Sequence, residues 1–214
     1  MAEEGIKLTL METDALKEIS NLGSAKATNT LSALIGKPVG LTVPYTRILL
    51  VERIGALLSG THEVLAYTPV EMFGQKKAAL IMVFERSAAA TLVNLMTKQP
   101  ATATHKLEDM DLSTLIELAH ILNNAYLNPL ANFFGEKFKP KNTQIVLDAG
   151  AVISELIEKT NPPINYGLVI GTDFMLPDEK TVEGKFILFI DEVLLRKLLD
   201  ALDRRMVIRR GKIF

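Results

Sequence analysis

Apolar residues recur at helical spacing through residues 12–35, where Leu16, Ile19 and Ala27 fall on one side of a helix. Gly36 stands just past the last of them, at a position where helices commonly end. The pattern predicts a long helix over 12–35.

Runs rich in β-branched and other apolar residues follow this helix. They predict strands at 38–51, 63–73 and 77–85, and a short apolar helix at 87–97 closes the first half of the chain. Pro44 lies within the first run, so that strand must be interrupted, bulged or at a sheet edge there.

The second half of the chain has the same predicted order. It contains a helix at 112–134, a strand-like stretch near 143–154, strands at 164–175 and 182–190, and a helix at 191–203. Pro129 lies inside the second long helix and should kink it or end it after Asn128.

The two long helical segments resemble each other when the chain is aligned with itself at an offset of 99 residues. The matched pairs are Met11 with Met110, Leu16 with Leu115, Glu18 with Glu117, Asn29 with Asn128, Leu31 with Leu130 and Gly36 with Gly135. Preserved apolar spacing, a glutamate and a terminating glycine indicate an internal repeat. We expect a single domain over 1–214, with repeats at approximately 10–105 and 109–205 and a basic C-terminal tail at 206–214.

Long β-hairpins beside helices predict an α+β fold. We expect a pseudo-two-fold duplicated unit, in which a long antiparallel sheet is packed on one face by two long helices plus shorter helices.

The composition, 48% hydrophobic and 23% charged residues with a formal charge of −1, is that of an ordinary globular protein. The chain contains no cysteine, which excludes a disulfide scaffold, a cysteine-ligated zinc or iron–sulfur site and a thiol nucleophile.

The near-neutral charge of the chain gives no reason to expect nucleic-acid binding. The chain has neither a signal-peptide pattern nor an apolar run of about 20 residues, so we expect a cytoplasmic protein without a membrane span.

Three polar residues of the first helix share one face. At about 100° per residue, Asp14, Glu18 and Asn21 fall within about 60° of one another. Four apolar residues are expected on the opposite arc: Leu16, Ile19, Leu22 and Leu34. On spacing alone, the simpler interpretation of the polar residues is the solvent-facing side of an amphipathic helix.

A longer arrangement changes this interpretation: Asp14, three residues, Glu18, two residues, Asn21, 22 residues and Pro44. It resembles the motif of the CheC, CheX and FliY group of chemotaxis phosphatases, which dephosphorylate the response regulator CheY. That motif is Asp or Ser, x3, Glu, x2, Asn, x22, Pro, and all four positions match at this spacing. A chance match in a chain of this size has a probability on the order of one in a thousand.

The resemblance implies the duplicated CheC-like fold and assigns roles to these residues. Asn21 would orient a water molecule in line with the phosphorus of an aspartyl phosphate, and Glu18 would pair with an active-site lysine of the regulator. Asp14, at the helix start, would serve as a cap or first-turn acid, and Pro44 would fix a turn. The regulator would carry its own Mg²⁺, so we expect no cofactor bound by this chain.

The corresponding residues of the second long helix, Ser113, Glu117 and His120, depart from the motif. An imidazole places its donor and acceptor differently from a carboxamide, and Thr143 stands where the motif has proline. We therefore expect this second site to be impaired. Asn124 lies on the same face, and it either substitutes for the missing carboxamide or is a plain surface residue.

Glu117 and His120 also match the ExxH element of di-iron helical bundles. Such sites need two ExxH motifs and two further carboxylates, whereas Asn21 occupies the histidine position of the first helix. We therefore expect no metal site.

The leading hypothesis is a CheC-like phosphatase that acts on a phosphorylated CheY-type response regulator through one intact site, formed by Glu18 and Asn21. The alternative is a non-catalytic chemotaxis or flagellar-switch adaptor that binds the regulator or the deamidase CheD. We expect a monomer, because the internal duplication already supplies the symmetry of a dimer.

Overall fold

The computed structural model describes residues 6–58, 63–72, 76–100, 106–147, 152–153, 156, 163–177 and 181–210. The helices are α1 (Leu10–Ile35), α2 (Val51–Leu58), α3 (Arg86–Met96), α4 (Asp109–Phe134) and α5 (Glu192–Arg210). The strands are β1 (Gly40–Thr42), β2 (Thr46–Leu50), β3 (Glu63–Met72), β4 (Lys76–Glu85), β5 (Phe138–Pro140), β6 (Gln144–Val146), β7 (Tyr166–Met175) and β8 (Thr181–Ile190). Residues 152, 153 and 156 are also helical.

The two long helices agree in length and in how they end. Each has 26 residues, and α4 starts and ends 99 positions after α1. At the start of α1, Thr9 Oγ1 accepts from the backbone N–H of Glu12 at 3.2 Å, and the Glu12 carboxylate accepts from the Thr9 N–H at 2.6 Å. Gly36 and Gly135 end the helices with φ of 73° and 68°, a backbone conformation that glycine adopts without strain. The offset seen in the sequence is therefore also the offset between the two helices.

All strand pairs in the sheet are antiparallel, in the order β1-β7-β8-β4-β3-β5, with β2 also pairing with β7 and β6 with β3. The two flanks repeat the same register, since Gly40 lies opposite Met175 and Phe138 lies opposite Met72. The predicted α+β fold with a long antiparallel sheet is confirmed.

Helices cover both faces of this sheet. On one face, α1, α3, α4 and α5 pack on residues that include Met82 and Phe186. On the other face, α2 and the helical residues at 152–153 and 156 pack on residues that include Ile81 and Ile187. The helices expected on one face are present, and the structure adds short helices on the second.

The helices of the second face were not predicted, since α2 overlaps the predicted strand run at Val51 alone and its remaining residues were assigned to no element. The run at 38–51 divides into β1, β2 and the start of α2, and the stretch near 143–154 contains β6 followed by helical residues. The buried residues of α2 are Val51, Ile54 and Leu58, which stand at helical spacing. The β-branched residues just before them favoured strand and concealed that spacing.

The predicted effect on local structure is confirmed for Pro44 but not for Pro129. Pro44 is exposed in the gap between β1 and β2, which confirms the predicted interruption of that strand. Pro129 lies inside α4, which continues to Phe134, so the predicted break after Asn128 does not occur. The proline ring removes one N–H donor from the helix, and packing of α4 on both sides of it keeps the helix continuous.

The C-terminal helix is longer than predicted. The sequence indicated a helix over 191–203, whereas α5 continues to Arg210 and includes the beginning of the segment interpreted as a tail. Four arginines occur between positions 204 and 210. Their charge suggested a solvated tail, but arginine is also a good helix former.

The contact between α1 and α4 is formed where Gly23 meets Tyr126. A Cβ atom added at Gly23 would lie 2.6 Å from Cδ1 of the Tyr126 ring and 3.2 Å from its Cα atom. Tyr126 is buried, with its hydroxyl 3.2 Å from Thr172 Oγ1 and its ring centroid 4.5 Å from that of Phe186. Burial raises the pKa of the Tyr126 phenol, and the hydrogen bond to Thr172 opposes this shift. This close approach fixes which side of α1 faces inward.

Replacing Gly23 with alanine is expected to lower the free energy of unfolding by about 1–3 kcal/mol, because the added methyl group overlaps the Tyr126 ring. In an uncrowded helix interior the same change would stabilise by about 0.5–1 kcal/mol. Asn29→Ala, at an exposed position of α1, is the control and should leave stability unchanged or slightly higher. Equilibrium unfolding in urea measures each variant. Stabilisation by Gly23→Ala would contradict the close packing of α1 on Tyr126.

Candidate functional site

The three polar motif residues of α1 lie together on the outer side of the helix. Asp14 and Asn21 are exposed, and Glu18 between them is partly exposed. The residues behind them, including Leu16 and Gly23, are buried against the rest of the protein. We refer to Asp14, Glu18 and Asn21 as the α1 ridge. The structure therefore brings together the three side chains that the spacing placed on one face.

The side chain of Asn21 is available for a ligand or partner. Its carboxamide forms no hydrogen bond with any residue that the structure describes, and its backbone carbonyl accepts from the Ser24 hydroxyl at 3.0 Å. A free carboxamide presents an acceptor oxygen and two N–H donors in one plane. Asn21 thus offers several hydrogen bonds from a helix whose position is fixed by packing.

Two leucines of α1 lie on the surface, contrary to the sequence prediction. Leu22 and Leu34 were expected on the buried arc, but they are 53% and 45% exposed. The inward side of α1 is set by its contacts with the sheet and with Tyr126, so the buried arc is centred near Gly23 and Ala27, and Leu22 lies about 100° or more from both. Leu34 is in line with this arc but lies in the last turn of the helix. Leu22 lies about 40° around the helix from Glu18, at the border of the α1 ridge.

Pro44, the fourth motif residue, does not belong to the exposed ridge. It lies in the connection between β1 and β2, at the edge of the sheet. Gly171 donates its backbone N–H to the Tyr45 carbonyl at 3.0 Å, which keeps the interrupted strand attached to β7. This location agrees with a structural role in the strand break.

The second long helix presents an equivalent face with different chemistry. Ser113, Glu117 and Asn124 are exposed, and His120 is partly exposed. The Ser113 hydroxyl donates to the Asp109 carbonyl at 3.0 Å, so it is engaged within its own helix. His120 Nδ1 lies 3.9 Å from a carboxylate oxygen of Glu117. We refer to Ser113, Glu117, His120 and Asn124 as the α4 face.

A buried hydrogen-bond network occupies the position where the motif would place a second proline. Thr143 is 7% exposed, and its hydroxyl lies 2.8 Å from that of Thr68. Asn123, on the inner side of α4, donates from Nδ2 to the same Thr68 oxygen at 2.9 Å. Thr143 therefore ties the edge strands to α4 through Thr68. Sequence reasoning missed this network because its members are distant in sequence.

A cleft of about 620 Å³ opens beside the α1 ridge, between α1, α4 and α5. Among the described residues, its apolar lining consists of Ile19, Leu22, Pro129, Phe133 and Ala201, and its polar lining of Lys26, Asn128, Asn132 and Arg204. The contribution of α5 is Ala201 and Arg204, and Arg204 lies one residue past the predicted end of that helix. The cleft was not foreseen from the sequence, because it depends on how three helices distant in sequence pack together.

Among the described residues, no group of three or more histidine or acidic side chains is placed to hold a metal ion. No described helix combines the length and apolar character needed to cross a bilayer.

Comparison with solved structures identifies the fold, although no protein-family model matches the chain. FliY from Thermotoga maritima superposes with a TM-score of 0.73, over 93% of this chain and 99% of that one, at 19% sequence identity. The fold is that of FliY. FliY belongs to the group whose motif the α1 ridge resembles, so the architecture agrees with that resemblance.

FliM from H. pylori has the same FliY-like fold. In a complex with SpeE, its TM-score is 0.65 over 93% of this chain and 98% of that one, at 8% identity. In a complex with FliG, the TM-score is 0.65 over 90% and 100% of the chains, at 7% identity. These identities are low, so the likeness concerns the fold.

Replacing Thr143 with valine should lower the free energy of unfolding by about 1 kcal/mol, because the isosteric change removes a buried hydrogen bond to Thr68. The control is Thr42→Val, at an exposed position of β1, which should have little effect. Thermal or urea unfolding of both variants tests this expectation. Equal stability of the two variants would show that the Thr143 hydroxyl does not contribute.

Proposed function

We propose that this protein is a phosphatase for the aspartyl phosphate of a CheY-type response regulator, and that α1 is its catalytic helix. The proposal is supported by the Asp14, Glu18, Asn21 and Pro44 motif, by the exposure of the α1 ridge, and by the FliY-like fold. The observation that carries it is the free carboxamide of Asn21.

Asn21 suits a reaction that requires positioning of a water molecule. Its carboxamide is exposed and has no hydrogen-bond partner among the described residues, while its helix is held by the contact of Gly23 with Tyr126. A side chain on a rigid element holds a reactant more precisely than one on a loop. Asn21 is thus preorganised to hold a water molecule at a partner's surface.

The reaction itself needs little chemistry from this chain. The water oxygen forms a bond to phosphorus while the bond from phosphorus to the aspartyl oxygen breaks, which releases inorganic phosphate and restores the aspartate carboxylate. One proton of the water passes to the departing phosphate. The Asn21 oxygen accepts a hydrogen bond from the water and directs a lone pair toward phosphorus, so its contribution is orientation. Mg²⁺ on the regulator would neutralise the phosphoryl charge.

Glu18 docks the helix in this proposal. Its carboxylate lies about one turn before Asn21 on the same face, and it would pair with a lysine beside the phosphate. Asp14 lies about one further turn toward the helix start. The cap of α1 is Thr9 and the acid of its first turn is Glu12, so Asp14 is neither the cap nor the first-turn acid expected from the sequence. Glu18 thereby sets the position at which Asn21 meets the water.

The α4 face is impaired as a catalytic site in this proposal. It has Glu117 in common with the α1 ridge, but His120 takes the place of the carboxamide and approaches Glu117 at 3.9 Å. The Ser113 hydroxyl is engaged by its own helix. Asn124 lies about two turns after Glu117, which is too far along the helix to reproduce the spacing of Glu18 and Asn21.

The likeness to FliM favours a second candidate function. FliM is found in complexes with SpeE and with FliG, and it has the fold of this chain. A protein of this architecture can serve as a non-catalytic adaptor that uses its long helices to bind the regulator or a CheD-type deamidase. In that case Asn21 would contribute to binding, and no hydrolysis would depend on it.

Loss of phosphate from ³²P-labelled CheY in the presence of Mg²⁺ tests the proposal. Wild-type protein is expected to accelerate the decay, and Asn21→Ala should reduce the acceleration on the order of a hundredfold, because the water is no longer oriented. His120→Ala should leave the acceleration nearly unchanged.

Asn142→Ala is the matched control, since Asn142 is an exposed asparagine outside both long helices. It should hydrolyse at the wild-type rate. Retention of activity by Asn21→Ala together with its loss in His120→Ala would assign catalysis to α4. Binding of phosphorylated CheY without any acceleration by the wild type would favour the adaptor.

A further inference from the structure

The cleft between α1, α4 and α5 provides a docking surface next to the α1 ridge. We infer that the phosphorylated regulator binds on the α5 side of α1, with Leu22 as its apolar anchor and with Lys26 and Arg204 as partners of an acidic group. This inference rests on the proposed function and adds to it the residues that determine affinity. It also predicts that binding is confined to one of the two long helices.

Leu22 lies beside Glu18, on the side of α1 that faces the cleft. It lies about 6 Å along the helix axis and about 40° around it from Glu18, and about 100° around it from Asn21. Leu22 is 53% exposed although it lines the cleft. A partner surface that engages Glu18 and extends into the cleft covers Leu22, and burying an exposed leucine favours association.

The charges of the cleft complement a phosphorylated acidic site. Lys26 and Arg204 are exposed, and neither forms an ion pair with another residue that the structure describes. The described residues that line the cleft include no carboxylate. A regulator that holds Mg²⁺ at an aspartyl phosphate needs further carboxylates around the ion. Two unpaired cations beside the α1 ridge match this acidic surface and orient it.

The corresponding surface on α4 lacks these features. Ala125, which is buried, stands where α1 has Lys26 at the offset of 99 residues. Helix α3 follows β4 as α5 follows β8, but α3 has 11 residues and ends at Met96, whereas α5 has 19. The α4 face therefore has neither the lysine nor the long helical wall. We infer that it fails to dock the regulator whatever residue stands at position 120.

Affinity for a CheY-type receiver of the same genome, loaded with beryllofluoride and Mg²⁺, is the direct measurement. Leu22→Ser and the double variant Lys26→Glu with Arg204→Glu are each expected to raise Kd by about tenfold or more. Two matched controls use exposed residues of the same type: Leu34→Ser, in the last turn of α1, and Lys37→Glu, beyond that turn. Both should change Kd by less than about twofold.

A second arm tests the asymmetry of docking. His120→Asn in an Asn21→Ala background gives α4 the carboxamide that it lacks, and it should restore no hydrolysis because the α4 face does not bind the receiver. Recovery of hydrolysis in this variant would overturn the inference.

The outcomes separate the docking inference from the proposed function. If the wild type hydrolyses the phosphate and the Leu22 and Lys26–Arg204 variants keep the wild-type Kd, the docking inference is wrong and the proposed phosphatase activity stands. If these variants weaken binding but the wild type hydrolyses nothing, the docking inference stands and the proposed phosphatase activity is wrong. If the wild type does not bind any such receiver, both are wrong.

Discussion

The packing of α1 on α4 determines what this protein presents to a partner. Gly23 lets the backbone of α1 approach the ring of Tyr126, and Tyr126 is in turn held by Phe186 of the sheet and by Thr172. A helix held in this way cannot roll about its axis without a collision in a closely packed core. The outward direction of Glu18 and Asn21 is thus a consequence of the contact on the opposite side of the helix.

The two halves of the chain have the same backbone architecture, but they differ in chemistry and in shape. α1 and α4 have the same length, equivalent glycine ends and flanking strands in equivalent register. α1 keeps a free carboxamide and faces the cleft formed with α5, whereas α4 has His120 and faces the shorter α3. In the second half, Thr143 stands at the motif spacing of the proline and belongs to a buried hydrogen-bond network. Equivalent backbone geometry therefore does not imply equivalent sites.

The features that were correctly predicted are those encoded locally. Helix periodicity, terminal glycines and strand propensity placed the long helices and the central hairpins within a few residues of their observed bounds. The errors concern properties that depend on distant residues. Leu22 is exposed because contacts with the sheet and Tyr126 set the roll of α1. α2 was concealed by the strand-like residues before it, and the cleft depends on how α1, α4 and α5 pack together. The α1 ridge could be predicted from the sequence because residues three or four apart in a helix lie on the same face.

Catalysis and adaptor function differ less in this architecture than their names suggest. Both need a rigid helix that enters a partner's surface, and the FliY-like fold provides one on each half of the sheet. In the inferred complex, docking depends on groups such as Leu22, Lys26 and Arg204, which line the cleft outside the α1 ridge. Hydrolysis adds one oriented carboxamide, since the proposed reaction takes its electrophile and its metal ion from the regulator. In the proposed mechanism, a change at one position would therefore convert a phosphatase into a binding module while the fold and the docking surface stay the same.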